Sequence, residues 1–300
     1  MSCVDTDAVG KGDRMQWRGR KGSSNVEDRR RTGGGGGGGQ IAGIGGVGAV
    51  VVFLIAMFLG VDPSQLLGTG GGTAPTGAPV ELTAEDQAAG EFVSVVLGDT
   101  EEIWTRVFQE QLGQPYRPAT LVLFKEATRS ACGGASEATG PFYCPADKKV
   151  YLDTAFFTTL TQRLGASGDF AAAYVVAHEI GHHIQNELGI LGKANQVRQQ
   201  VSQEESNAIS VRIELQADCL SGIWAREAAQ TLGVVERGDL EEAVNAARQI
   251  GDDTLQRNAG QRPMPHTFTH GTSEQRSRWF MSGLQSGQMA DCDTFQTSDL

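Results

Sequence analysis

The sequence predicts an α+β fold, mainly helical with a small sheet, preceded by a single transmembrane helix. Three observations lead there. Apolar residues recur at helical spacing through most of residues 82–284. Two short apolar runs, Thr120 to Phe124 and Val150 to Leu152, are bounded by turn residues and read as strands. Ile41 to Leu59 (IAGIGGVGAVVVFLIAMFL) holds no charged or polar side chain, and at 1.5 Å per residue it spans roughly 29 Å, close to the hydrocarbon thickness of a bilayer.

From the N-terminus, residues 1–40 carry eight Lys/Arg against five Asp/Glu and end in Gly33 to Gly39, a composition that predicts a flexible basic tail. Residues 41–60 form the expected membrane helix, with membrane lipid as its partner. Basic residues before it and almost none after it orient the tail to the cytoplasm and the remainder outside, a single-pass topology. Residues 61–80, including GTGGGTAPTGAP, read as a linker, and one domain fills 81–300. The tail's charges serve orientation and lipid contact, or the Met15 to Arg29 stretch, with its Trp, Ser and Asn, binds a cytoplasmic partner. The formal charge of −11 argues against nucleic acid.

Within the domain, helices are expected over Leu82 to Leu97, then through Ile103, Val107 and Leu112, and over Phe156 to Leu164 and Asp169 to Leu188. Further ones follow over Val197 to Ala229, Asp239 to Ile250 and Ser273 to Leu284. Asp239 with Glu242 reads as a start signal. Cys132, Cys144, Cys219 and Cys292 allow three pairings. Cys132 with Cys144 closes a short loop and leaves Cys219 to Cys292; four free thiols is the other reading.

The chemistry is written in His178-Glu179-Ile180-Gly181-His182. Histidines four apart on a helix project from one face and can take two positions of a tetrahedral zinc ion. Glu179 then stands beside a water whose pKa zinc lowers to about 7, placed to accept its proton during attack on a carbonyl. The third ligand is expected to be Glu214, and Asp218, one turn on, to hold the remaining N–H of His178. His183 points away from the ligand face, and Arg276 and Trp279 read as structural.

These motifs resemble those of the neutral zinc metallopeptidase family of bacterial membrane proteins. The resemblance rests on MQWRGR at 15–20 with SNVEDR at 24–29, HEIGHHIQ at 178–185, ELQADCLSGIWA at 214–225, HGTSEQR at 270–276 with Trp279-Phe280, and CDTF at 292–295. It implies a zincin-like fold, a Zn2+ cofactor and a peptide or protein substrate. His270 opens a segment similar to one that follows the zinc ligands in related peptidases, and has two readings, oxyanion donor or structural cap. A membrane-bound assembly protein with a structural zinc site, and a zinc hydrolase of cell-wall amides, are the alternative functions.

Overall fold

The computed structural model describes residues 15–31, 81–136 and 139–300. In chain order they form β1 (Val26–Asp28), α1 (Ala84–Val107), β2 (Thr120–Phe124), β3 (Ala127–Ser130), β4 (Gly133–Ser136), β5 (Phe142–Cys144) and β6 (Lys149–Asp153). Then come α2 (Phe156–Gln162), α3 (Asp169–Glu187), α4 (Ile190–Arg198), α5 (Gln203–Glu227), α6 (Asp239–Gln249), α7 (Asp252–Asn258) and α8 (Ser273–Ser286).

Three long helices start on reciprocal caps that satisfy otherwise orphaned N–H groups: Thr83 with Asp86 for α1, Ser202 with Glu205 for α5, and Thr272 with Gln275 for α8. The cap at Ser202 explains why the long helix expected from Val197 is in fact two, α4 ending at Arg198 and α5 starting at Gln203. Conversely, α1 continues through Gly98 and Asp99, where a break was expected. Gly98 lets the chain at Lys21 to Ser23 lie against the helix, and Asp99 pairs with Arg20. Asp239 and Glu242 do not cap α6; Gly238 occupies that position, and Glu242 accepts the Phe170 N–H of α3 instead.

The sheet runs β1-β2-β6-β5, with β1, β2 and β6 parallel and β5 antiparallel to β6. β2 and β6 are buried almost throughout, as their continuous apolar runs require. The β3–β4 hairpin stands apart and is tied to β5 by the Cys132–Cys144 disulfide. A second bridge joins Cys219 on α5 to Cys292. By loop entropy these contribute about 3 and about 4 kcal/mol.

Residues 15–31, expected to belong to a flexible cytoplasmic tail, form a strap on the body. Met15 and Trp17 are buried in the core, with Trp17 edge-on to Phe92 of α1. β1 pairs in register with β2, Val26 opposite Leu121. Three of its six basic side chains find acidic partners inside the molecule: Arg20 on Asp99, Arg29 on Glu27, and Arg30 on Asp28. The reading of a cytoplasmic partner for this stretch is overturned on that ground.

The membrane helix expected over 41–60 lies outside the described residues. Among the described residues no helix is long and apolar enough to cross a membrane. The strap adds a physical objection to the single-pass topology. One crossing between residues 31 and 81 would put β1 and β2 on opposite sides of a bilayer, where they cannot exchange hydrogen bonds. The expectations of a membrane anchor, a lipid partner, and a cytoplasmic N-terminus with the domain outside are corrected accordingly.

The helices meet at glycines. A Cβ on Gly181 would lie 3.1 Å from the Ala217 backbone, so α3 and α5 pack nearly main chain to main chain. Gly222 and Gly283 do the same between α5 and α8, where an added Cβ would meet Phe280 O at 2.0 Å and Cys219 O at 1.9 Å. These crossings set the spacing of the functional groups.

Candidate active site

α3 buries Phe170, Tyr174, Val176, Ile180 and Ile184 in the core, which leaves its motif face turned toward α5. With Gly181 allowing the close approach, Glu214 of α5 comes to both histidines. His178 Nε2 is 3.1 Å from Glu214 Oε2, and His182 Nε2 is 3.5 Å from Glu214 Oε1. Ligand atoms about 2.1 Å from a tetrahedral ion stand about 3.4 Å apart. These separations therefore match the edges of a coordination tetrahedron, and all three ligand atoms lie within 4.8 Å of one another. His178, His182 and Glu214 form a candidate metal site.

Each of the two histidines is held from behind. Gln185 spends its amide N–H groups on Ile213 O and Gln216, so its oxygen, 2.9 Å from His182 Nδ1, acts as acceptor there. The His182 proton accordingly sits on Nδ1, and the Nε2 lone pair faces the site. Gln216 in turn donates to Cys292 O, which connects this support to the Cys219–Cys292 bridge. His178 Nδ1 lies 2.9 Å from Asp218 Oδ1, with the ring turned so that its N–H does not aim squarely at the oxygen. Asp218 is fully buried and receives Tyr174 Oη at 2.5 Å and two nitrogens of Arg276.

The electrostatics follow from burial and these partners. Burial disfavours a charged His178, but Asp218 and Glu214 outweigh it and raise the imidazole to about 9, so a cation competes with a proton for Nε2. Burial also works against the Glu214 carboxylate, yet His182, the His178 contact and His270 hold it well below the usual range. Glu179 is different. Burial raises its pKa, against the pull of both histidines and of the Tyr143 N–H on β5.

Tyr143 is itself pinned to α3: its hydroxyl meets His183 Nδ1 at 3.1 Å and accepts from Asn186 at 3.0 Å. His183 thus faces the β5 side, its Nε2 donating to Arg117 O.

His270 lies close enough to Glu214 for their charges to interact. Its Nδ1 is 3.0 Å from Asp252 Oδ1, while Asp252 Oδ2 accepts the N–H groups of Thr269, His270 and Gly271. Burial lowers the His270 pKa, but Asp252 raises it further, and the net shift is upward. Asp252 carries no sequence signal toward His270. Tyr174 and Gln185, four before His178 and three after His182, were open to recognition by helical spacing.

A second group of acids, Asp169, Asp239 and Glu242, gathers at the start of α3. Its oxygens are engaged by main-chain N–H groups, Met15 on Asp169, Glu236 on Asp239 and Phe170 on Glu242. It offers no nitrogen ligand.

Comparison with known proteins adds sequence kinship to this geometry. Residues 15–295 match the family described as "Putative neutral zinc metallopeptidase". The chain is 46% identical over 289 residues to the uncharacterized protein YpfJ of Escherichia coli K12, covering 95% of this chain and 100% of that protein. It is 40% identical over 260 residues to the uncharacterized protein Rv2575 of Mycobacterium tuberculosis, covering 82% of this chain and 86% of that protein. No solved structure matches.

Proposed function

The chain belongs to the neutral zinc metallopeptidase family and carries a zinc-dependent, peptidase-type active site; on that premise we propose that it hydrolyses peptide bonds with Zn2+ held by His178, His182 and Glu214. The observation that supports this most is the convergence of two imidazole nitrogens and one carboxylate on a buried point, with Glu179 one residue from the first ligand.

Bound there, zinc would supply Lewis acidity, polarising the scissile carbonyl and lowering the pKa of a water to about 7. Glu179 would accept the proton of an attacking water and give it to the amine that departs as the C–N bond breaks. Its raised pKa strengthens it as a proton acceptor relative to an ordinary carboxylate. Asp218 orients His178, and Gln185 orients His182. His270, whose pKa Asp252 raises, donates from Nε2 to the oxygen that becomes negative as the carbonyl is attacked.

The test compares the full chain with its Glu179→Gln variant. Both should bind about one zinc per chain by metal analysis, and the variant should lose about 10²–10⁴ in hydrolysis of a mixed peptide library. Equal cleavage by the variant would show that Glu179 is not the base.

A further inference from the structure

The active-site rim holds a cation that the proposed mechanism does not use. Arg198, the last residue of α4, is half-buried, and its Nε donates to Ser206 Oγ while Nη1 donates to Asn195 Oδ1. Both acceptors are neutral. Among the described residues no carboxylate lies within salt-bridge distance of this guanidinium, although the chain carries 36 Asp/Glu against 25 Lys/Arg. Other buried arginines behave differently: Arg276 is bracketed by Asp218, and Arg30 by Asp28.

Its position is tied to the metal site. Ser206, Ser210 and Glu214 recur every four residues and share one face of α5, so Ser206 and Glu214 are about 12 Å apart along the helix. Burial draws the Arg198 pKa down, and the carboxylate that opposes this is Glu214. An extended peptide covers such a distance in about three residues.

Two exposed apolar residues lie in the segments that meet the start of α5. Val197, beside Arg198, is 49% exposed. Asn207, next to Ser206, donates to His266 O and so brings the loop of Met264, 43% exposed, to this end of the helix. An oriented guanidinium with neutral acceptors and no carboxylate partner among the described residues, next in sequence to an exposed valine, matches a peptide that presents a carboxylate near apolar residues.

The geometry points to Arg198 as the docking group for a substrate carboxylate a few residues from the bond that is cut. This rests on the peptidase reading above. The carboxylate has two sources, a peptide's free C-terminus or an acidic side chain.

The test uses the zinc-loaded full chain with Glu179→Gln, so that binding is read without turnover, and the same chain with Arg198→Gln added. Calorimetric titration compares three peptides of one apolar sequence. One has a free C-terminal carboxylate and no acidic side chain, one has an amidated end and one Glu, and one is amidated without acid. Either or both of the first two should bind the Glu179→Gln chain about tenfold tighter than the third, a difference that shrinks in higher salt and vanishes with Arg198→Gln. Which of them gains identifies the source. Three equal affinities, or a preference that survives Arg198→Gln, overturn the assignment. Hydrolysis by the parent chain is scored separately: a carboxylate preference without cleavage of any peptide would sink the peptidase reading and leave the docking site standing.

Discussion

Arg276 brackets Asp218 with two parallel contacts, Nε to Oδ2 at 2.8 Å and Nη2 to Oδ1 at 2.9 Å, in the buried interior between α8 and α5. The same carboxylate lies against His178, so a charge on α8 reaches a proposed metal ligand on α3 through Asp218. The close crossing at Gly222 and Gly283 brings the two helices near enough for this.

Removing Arg276 leaves a fully buried carboxylate without its countercharge. Arg276→Met should destabilise the fold by about 3–5 kcal/mol, measured by urea denaturation. Arg276→Lys should recover only part of that, because an ammonium cannot reproduce the planar fork.

The Asp252–His270 pair predicts a kinetic split. His270→Ala should lower kcat by about 10²–10³ with little change in KM. Asp252→Asn should lower it less and move the alkaline limb of the pH profile to lower pH. The sign follows from the charge: Asp252 raises the His270 pKa, so its neutral replacement lets His270 lose its proton earlier. An unmoved limb would rule out His270 as the titrating donor.

Glu242 predicts the pH dependence of stability. Burial, reinforced by Asp239 and Asp169, raises its carboxyl to about 7, against the Phe170 and Ala171 N–H groups. The folded state then holds a proton that the unfolded chain has released, so stability falls as pH rises from about 4.5 to about 7. Glu242→Gln should remove much of that fall. Discounted for partial exposure, the gain at pH 8 is about 1 kcal/mol, or about 2–4 °C in Tm.

The strap predicts that residues 81–300 do not make the whole fold. Trp17→Ala should cost about 3–5 kcal/mol. A chain starting at residue 81 should show an earlier urea midpoint than the full chain; coincident midpoints would mean that the strap contributes nothing.

How much of this was legible in the sequence depends on how local each interaction is. The histidine spacing on α3 and the carboxylate spacing on α5 are helical repeats, readable without coordinates. Arg276 and Asp252 act across 58 and 18 residues, and nothing local in either stretch names its partner. The strap was missed because a three-residue parallel strand leaves no periodic trace. Its basic composition mimicked a topology signal, whereas Arg20, Arg29 and Arg30 neutralise acids of this same chain.

The parallel pairing of β1 with β2 also sets a timetable for synthesis. Val26 leaves the ribosome about 95 residues before Leu121 exists to receive it, an interval on the order of 5–20 s at ordinary translation rates. The earliest strand made is therefore obliged to wait, unpaired, until the middle of the chain has emerged. Sequence-distant pairing of this kind is slow to form, and the newborn protein's exposure to aggregation and proteolysis is greatest before the strap has closed.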